Sequence, residues 1–274
     1  MYCKNKMNSK KRIKGFSLVE LSIVLIIIGL LIAGVSSGSK LIGQAKLRSV
    51  ITDYNTYKNA YNTFYLTYDV LPGDMSAADA LAYFGVVNKS SNCASPTASY
   101  AAEDNILLAI DEGPMAFWHL SLANLIGGNY DGEYLTAEVA GVTVGSANYA
   151  DNVAFNFFSM GTHCNQWDYG SSTIYENAVK NILAFGAINN TSTSGLVHDS
   201  ALKAVDAYSI DNKLDDGVPN SGIILADHGV DVGNSQQCTS LSGYASTYTS
   251  SDGRLSYMAT NDYAACRMMF VMDF

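Results

Sequence analysis

Residues 21–39 carry no charge, and residues 21–32 are almost continuously aliphatic. Counted from Phe16, this apolar run covers about 24 residues, enough for a helix to cross the hydrocarbon core of a bilayer. An ordinary secretory signal has a shorter apolar core, followed by a small-residue cleavage site. Here a cut before the run leaves it in the mature chain. Beyond it, Leu47, Val50, Tyr54, Tyr57, Tyr61, Phe64 and Tyr68 alternate spacings of three and four, which places them on one face of a helix. Leu71-Pro72-Gly73 stops that helix, because proline restricts the residue before it and glycine permits a turn. One helix from Ser17 to Asp69 would be roughly 80 Å long. The aromatic stripe on its second half reads as core packing and not as a cofactor box.

From residue 71 onward the pattern mixes helix and strand. Gly113-Pro114 opens a helix with Met115, Trp118, Leu122 and Leu125 on its inner face, closed by Gly127-Gly128. A second helix is expected over residues 174–185. A third is expected to start with Asp199 as N-cap and to turn Leu202, Val205 and Tyr208 inward. Strands are expected over residues 139–144, 153–158, 223–226, 254–258 and 267–272. The expected class is α+β: a long N-terminal helix, membrane-spanning in its first half, packed on a C-terminal head with an antiparallel sheet. The chain divides into a basic leader (1–15), a transmembrane helix (16–39), its extracytoplasmic continuation (40–70) and a globular head (71–274).

Charge sharpens this division. The net charge is −9, yet Lys4, Lys6, Lys10, Lys11, Arg12 and Lys14 crowd the leader, which has no acidic residue. A basic segment before an apolar helix stays on the cytoplasmic side, which sends the head across the membrane. The acidic remainder lacks the clustered lysine and arginine that nucleic-acid phosphates require, so no nucleic-acid partner is expected. Charged residues make up only 15% of the chain, which leaves Ser, Thr, Asn, Gly and Tyr to form the polar surface and suits an extracytoplasmic head. Cys3 lies in the leader, and the rest keeps Cys93, Cys164, Cys238 and Cys266. An even number in an oxidising compartment fits two disulfides; of the three pairings, Cys238–Cys266 with Cys93–Cys164 is preferred.

The segment Lys10-Lys11-Arg12-Ile13-Lys14-Gly15-Phe16-Ser17-Leu18-Val19-Glu20-Leu21 resembles the prepilin-type signal of type IV pilins and type II secretion pseudopilins. The resemblance implies cleavage between Gly15 and Phe16 by a prepilin peptidase, which also N-methylates Phe16. It gives Glu20 the role of pairing with the N-terminal amine of a neighbouring subunit during assembly. A glutamate one turn into a membrane helix is costly, by up to about 3 kcal/mol at the bilayer centre, so such a partner has a physical purpose. The implied partners are the peptidase, other pilin or pseudopilin subunits and the inner membrane, and the implied destination is a pilus or pseudopilus filament. Where many major pilins carry a helix-kinking proline, this chain has Gly34, Ser36, Ser37 and Gly38, and its size is large for a major pilin. Both features favour a minor pilin or a pseudopilin.

No catalytic residue is expected. His119, His163, His198 and His228 show no metal-ligand spacing, and no nucleophile elbow, phosphate loop or dinucleotide fingerprint is present. His119 is expected to be packed or to cap, and Cys164 beside His163 to be a disulfide partner. Asp211, Asp215 and Asp216 are hard oxygen donors near a turn, and some pseudopilin heads bind calcium. Their spacing departs from an EF-hand loop, Lys213 stands among them, and Asp216-Gly217 is itself a turn signal. A turn locked by Asp side chains is therefore favoured over calcium, and no other cofactor is expected. Two classes of function remain: a structural filament subunit, and a membrane-anchored enzyme or binding module using the same signal. Glu20 favours the first, because a plain anchor does not need it.

Overall fold

The computed structural model describes residues 15, 17–86, 88, 105, 107, 112–133, 139–160, 180–188, 197, 199–229, 237–240 and 254–272. They fall into two compact units, divided between Ala45 and Lys46. In the first unit, helix α1 (Leu18–Tyr68) begins and runs without interruption through Gly34 and Gly38. Weak helix formers there do not break it, because hydrogen bonds within the helix satisfy every backbone group in turn.

The second unit is built on the rest of α1. Leu47, Val50, Tyr54, Tyr57, Tyr61 and Phe64 are buried, as the spacing predicts. The helix ends at Tyr68; the next residue, Asp69, takes a left-handed conformation (φ 57°), and its N–H bonds Tyr65 O at 2.8 Å. Pro72 and Gly73 follow in the next turn. Gly73 is required there: at φ 96°, a Cβ would lie 2.4 Å from the carbonyl oxygen of Glu112. Two short helices come next, α2 (Ala77–Phe84) and α3 (Glu112–Leu122). Ser76 caps α2 by accepting the Asp79 N–H, and Gly85 closes it in the left-handed region.

The sheet is wholly antiparallel. Its strands are β1 (Gly145–Ser146), β2 (Val153–Met160), β3 (Lys180–Ala187), β4 (Leu202–Lys203), β5 (Ile224–His228) and β6 (Ala264–Val271). The order is β1-β2-β3-β6-β4, with β5 also paired to β6. Helix α4 (Ala204–Leu214) leaves directly from β4. Alternate residues on β2, β3 and β6 supply two cores. Phe155, Phe157, Leu183, Phe185, Met268 and Phe270 pack with the aromatic stripe of α1, while Ala154, Phe158, Ile182, Ala184, Met269 and Val271 fill a second cluster. Tyr54 stacks on Phe270 at 4.3 Å and Tyr61 on Phe157 at 5.4 Å, and Tyr57 meets Phe117 edge to face at 5.3 Å. Polar bonds add register: the Tyr57 hydroxyl donates to Ser146 O, and the buried Asp53 accepts from the backbone and side-chain amides of Asn148. Asp227 and Arg267, cross-strand partners on β5 and β6, form a buried ion pair.

Several expectations are corrected. The helix expected over 174–185 is, from Lys180, the strand β3, and residues 174–179 lie outside the described residues. Its apolar run looks helical because both of its faces are buried, which removes the alternation that marks a strand. The helix expected from Asp199 begins at Ala204, because Asp199 bridges Ala187 and Leu202 is already in β4. It buries Ala204, Ala207, Ile210 and Asp211, and leaves Val205 and Tyr208 exposed. Helix α3 buries Met115 with Ala116, Phe117, His119 and Leu120, whereas Trp118, Leu122 and Leu125 are only half-buried. Neighbours on several sides, Tyr57 and Phe157 against Phe117 and Phe64 against His119, widen its buried arc beyond a single stripe. It ends at Leu122, with Asn124 in the left-handed region, ahead of Gly127-Gly128. Residues 139–144 form a tight turn in which Val139 O accepts the amides of Val142, Thr143 and Val144, and only Gly145 and Ser146 pair with β2. Of residues 254–258, Tyr257 alone makes a bridge, to Thr239.

Candidate functional site

The N-terminal end of α1 is the region with chemistry to explain. Every large apolar side chain from Leu18 to Ile42 is exposed, and among the described residues α1 is the helix long and apolar enough to cross a membrane. A surface of this kind is stable only in lipid or against like helices. Glu20 stands in the first turn. Its Oε2 accepts the Ser17 N–H at 2.8 Å, while Ser17 Oγ accepts the Val19 N–H at 3.3 Å. Ser17 and Glu20 thus form a capping box: serine opens the helix, and the glutamate three residues on reaches back to the serine amide. The carboxylate also sits at the positive end of the helix dipole. Sequence reading singled out Glu20 and missed Ser17, although Ser-x-x-Glu before an apolar run is a readable signature of this box.

Gly15 is exposed, and nothing lies within 4 Å of where its Cβ would be. Among the described residues, the fold makes no demand for glycine there. Phe16 lies outside the described residues, as does the leader before Gly15.

The acidic turn after α4 brings Asp211, Asp215 and Asp216 together, each with one oxygen within 4.8 Å of the others. Their oxygens already accept hydrogen bonds. Asp211 accepts the Gly217 N–H at 3.1 Å and the Tyr257 hydroxyl at 2.7 Å. Asp215 accepts the amides of Ile223 and Ile224, and Asp216 accepts the Val218 N–H and the Ser221 hydroxyl. This is the chemistry of a turn locked by side chains. Burial pushes the carboxyl of Asp211 up to about 6, against the lowering effect of its Tyr257 and Gly217 bonds.

Cys238 and Cys266 are joined by a disulfide and fully buried, which ties the segment before residue 240 to β6. Cys93, Cys164, His163 and His198 lie outside the described residues. His228 accepts the Cys238 N–H through Nδ1 at 3.2 Å. His119 is fully buried against the rings of Phe64 and Phe84. Its Nδ1 accepts the Gly73 N–H at 3.0 Å, so Nε2 carries the proton and donates to Asn88 Oδ1, also at 3.0 Å. Burial lowers its pKa to about 4, which keeps the ring neutral at ordinary pH.

Residues 10–36 match the family model described as the prokaryotic N-terminal methylation motif. This is the prepilin-type signal of type IV pilins and pseudopilins, and it implies processing by prepilin peptidase and assembly with other pilins. No curated protein and no solved structure matches the chain.

Proposed function

We propose that this chain is a structural subunit, a minor pilin or pseudopilin, of a type IV pilus or type II secretion pseudopilus. On this reading prepilin peptidase cuts after Gly15 and methylates Phe16, and the mature chain polymerises through α1. The observation that carries it is the match of residues 10–36 to the methylation motif, running directly into an exposed apolar helix with Glu20 in its first turn. An anchor needs only the apolar length; a carboxylate held at the start of that length fits a helix that must find a cationic partner. The precursor is placed in the inner membrane with its head on the extracytoplasmic side, and the mature chain in the filament.

The test is the mass of the mature N-terminal peptide. It is expected to begin at Phe16 and to carry one added methyl group. A bulky residue at Gly15 should leave the precursor uncut in the membrane, although the fold has room for it. A mature N-terminus inside or beyond the apolar run would refute the reading.

A further inference from the structure

Along α1 the exposed large apolar side chains run from Leu18 to Ile42 and resume only at Leu66. Three basic residues bracket the place where that run ends: Lys40, Lys46 and Arg48, all of them exposed. Lys40 stands 20 positions after Glu20, about 30 Å along a helix and so one hydrocarbon thickness away. Leu41 and Ile42 carry the apolar surface slightly past Lys40, whose long stem lets its ammonium group reach the interface from there. Lys46 and Arg48 follow within about 12 Å of Lys40, and from Leu47 onward the apolar side chains of the helix turn into the core.

This stretch of helix supplies no counter-charge of its own. Residues 21–52 contain no aspartate or glutamate, and Asp53, the first to follow, is buried and accepts the backbone and side-chain amides of Asn148. Lys46 holds its Nζ over the ring of Tyr149 at 5.8 Å, a contact that steadies the side chain without neutralising it. Three positive charges and no negative one are thus strung along the chain where lipid headgroups begin. Phosphate oxygens accept charge-assisted bonds from ammonium and guanidinium groups, and arginine can offer two parallel N–H donors. A headgroup of net negative charge gains this attraction in full, whereas a zwitterionic one brings a cation that opposes it. We propose that Lys40, Lys46 and Arg48 bind the headgroups of anionic phospholipids in the leaflet at the C-terminal end of the span. Such binding fixes the depth of α1, because charges held at headgroups resist both entry into hydrocarbon and withdrawal into water. The inference rests on the membrane placement of α1 given above and deepens it by naming the class of lipid.

The test is photo-crosslinking of the full chain in phospholipid nanodiscs, with the adducts mapped by mass spectrometry. One lipid probe carries a diazirine in its acyl chain and reports whether residues 21–39 lie in hydrocarbon. Two others carry the diazirine in the headgroup, one on phosphatidylglycerol and one on phosphatidylcholine. Acyl adducts are expected over residues 21–39. Over residues 40–48, phosphatidylglycerol adducts should exceed phosphatidylcholine adducts by about threefold or more, in a ratio that falls as salt screens the charges. Combining Lys40→Gln, Lys46→Gln and Arg48→Gln should bring that ratio close to unity without loss of acyl labelling or a change in melting temperature. Lys58→Gln, about 15 Å beyond Arg48 and more than a Debye length away, should leave it as in the wild type. Absence of acyl adducts over residues 21–39 would sink the membrane placement and this inference with it. Acyl labelling with equal headgroup adducts, or a triple variant that keeps the wild-type ratio, would overturn the lipid inference alone. So would carbodiimide coupling of Lys40 or Lys46 to a carboxylate of a second copy in the discs, which would assign these charges to contacts between subunits.

Discussion

His119 makes a pH-dependent contribution whose sign and size follow from its surroundings. The ring is fully buried, accepts the Gly73 N–H and has its pKa lowered to about 4 by burial, against 6.5 for a free histidine. A folded-state value below the unfolded one means that the unfolded chain binds the proton more readily between these limits. The stability due to neutral His119 is therefore fully present above pH 6.5 and is lost as pH falls through about 4. At about 1.4 kcal/mol per pKa unit, the loss is about 3 kcal/mol. Asp211 acts in the opposite direction: with its folded value pushed up to about 6, its contribution is greatest below pH 3.8 and is lost as pH rises through about 6. The two effects oppose each other across nearly the same window, so the wild-type profile conceals both.

A difference measurement separates them. His119→Gln removes the titrating ring and keeps an amide in its place; lost ring packing and an imperfect bond to Gly73 should cost about 2 kcal/mol at pH 7. Urea unfolding of wild type and variant in the same detergent, at pH 7, 6, 5 and 4, cancels every group the two proteins share. The wild type's advantage should shrink by about 3 kcal/mol between pH 7 and pH 4, so that the variant is the more stable at the acid end. Asp211→Asn should give a difference profile of opposite slope. A wild-type advantage over His119→Gln that stays constant with pH would show that this ring is not held neutral by burial, and the reasoning would fail.

Three further outcomes are expected. Glu20→Ala and Glu20→Gln should be cleaved nearly as well as wild type but enter filaments poorly, as scored by the ratio of sheared-filament to membrane-pool protein; normal incorporation of both would show that the charge is dispensable. Non-reducing peptide mapping should recover Cys238 linked to Cys266, and replacing both by serine should lower stability by about 3–4 kcal/mol for a loop spanning 28 positions, read as a shift in the urea midpoint. Gly217→Val should destabilise by about 2 kcal/mol, because φ is 72° and a Cβ would press on Tyr208 and Asn212, while added calcium should leave the melting temperature of the wild type nearly unchanged.

Legibility in the sequence tracked how unevenly each element's environment is divided. Helix α1 was readable because one side of its second half meets the sheet and the other meets solvent, which stamps a three-and-four spacing on the chain. Strands β2, β5 and β6 were readable from runs of aromatic, aliphatic and methionine residues between turn signals. Strand β3 was not, because Ile182 and Ala184 serve one core while Leu183 and Phe185 serve another. The same even burial hid the inner arc of α3. The start of α4 was misplaced because Asp199, a good cap by type, was already engaged in bridging Ala187. The acidic turn was legible as a turn from Asp216-Gly217, but only the fold shows which backbone amides its carboxylates hold.

The capping box bears on how such a helix is stored before it polymerises. In the proposed mature chain the α-amine belongs to Phe16, the residue next to Ser17, whose own N–H already bonds the Glu20 carboxylate. A lone subunit in the membrane thus need not expose a bare carboxylate: an amide donor and the positive end of the helix dipole satisfy it within its own first turn. On the proposed reading, assembly exchanges this neutral donor for an ammonium group, whose full opposite charge adds a Coulomb attraction that an amide cannot supply. The exchange gains most where lipid and neighbouring helices exclude water, since the attraction between opposite charges grows as the dielectric falls. Self-capping keeps the monomer tolerable in the bilayer, and the surplus of an ionic bond over an amide bond favours the filament. Glutamine at position 20 would retain the first of these and lose the second, which is why it separates storage from assembly more sharply than alanine does.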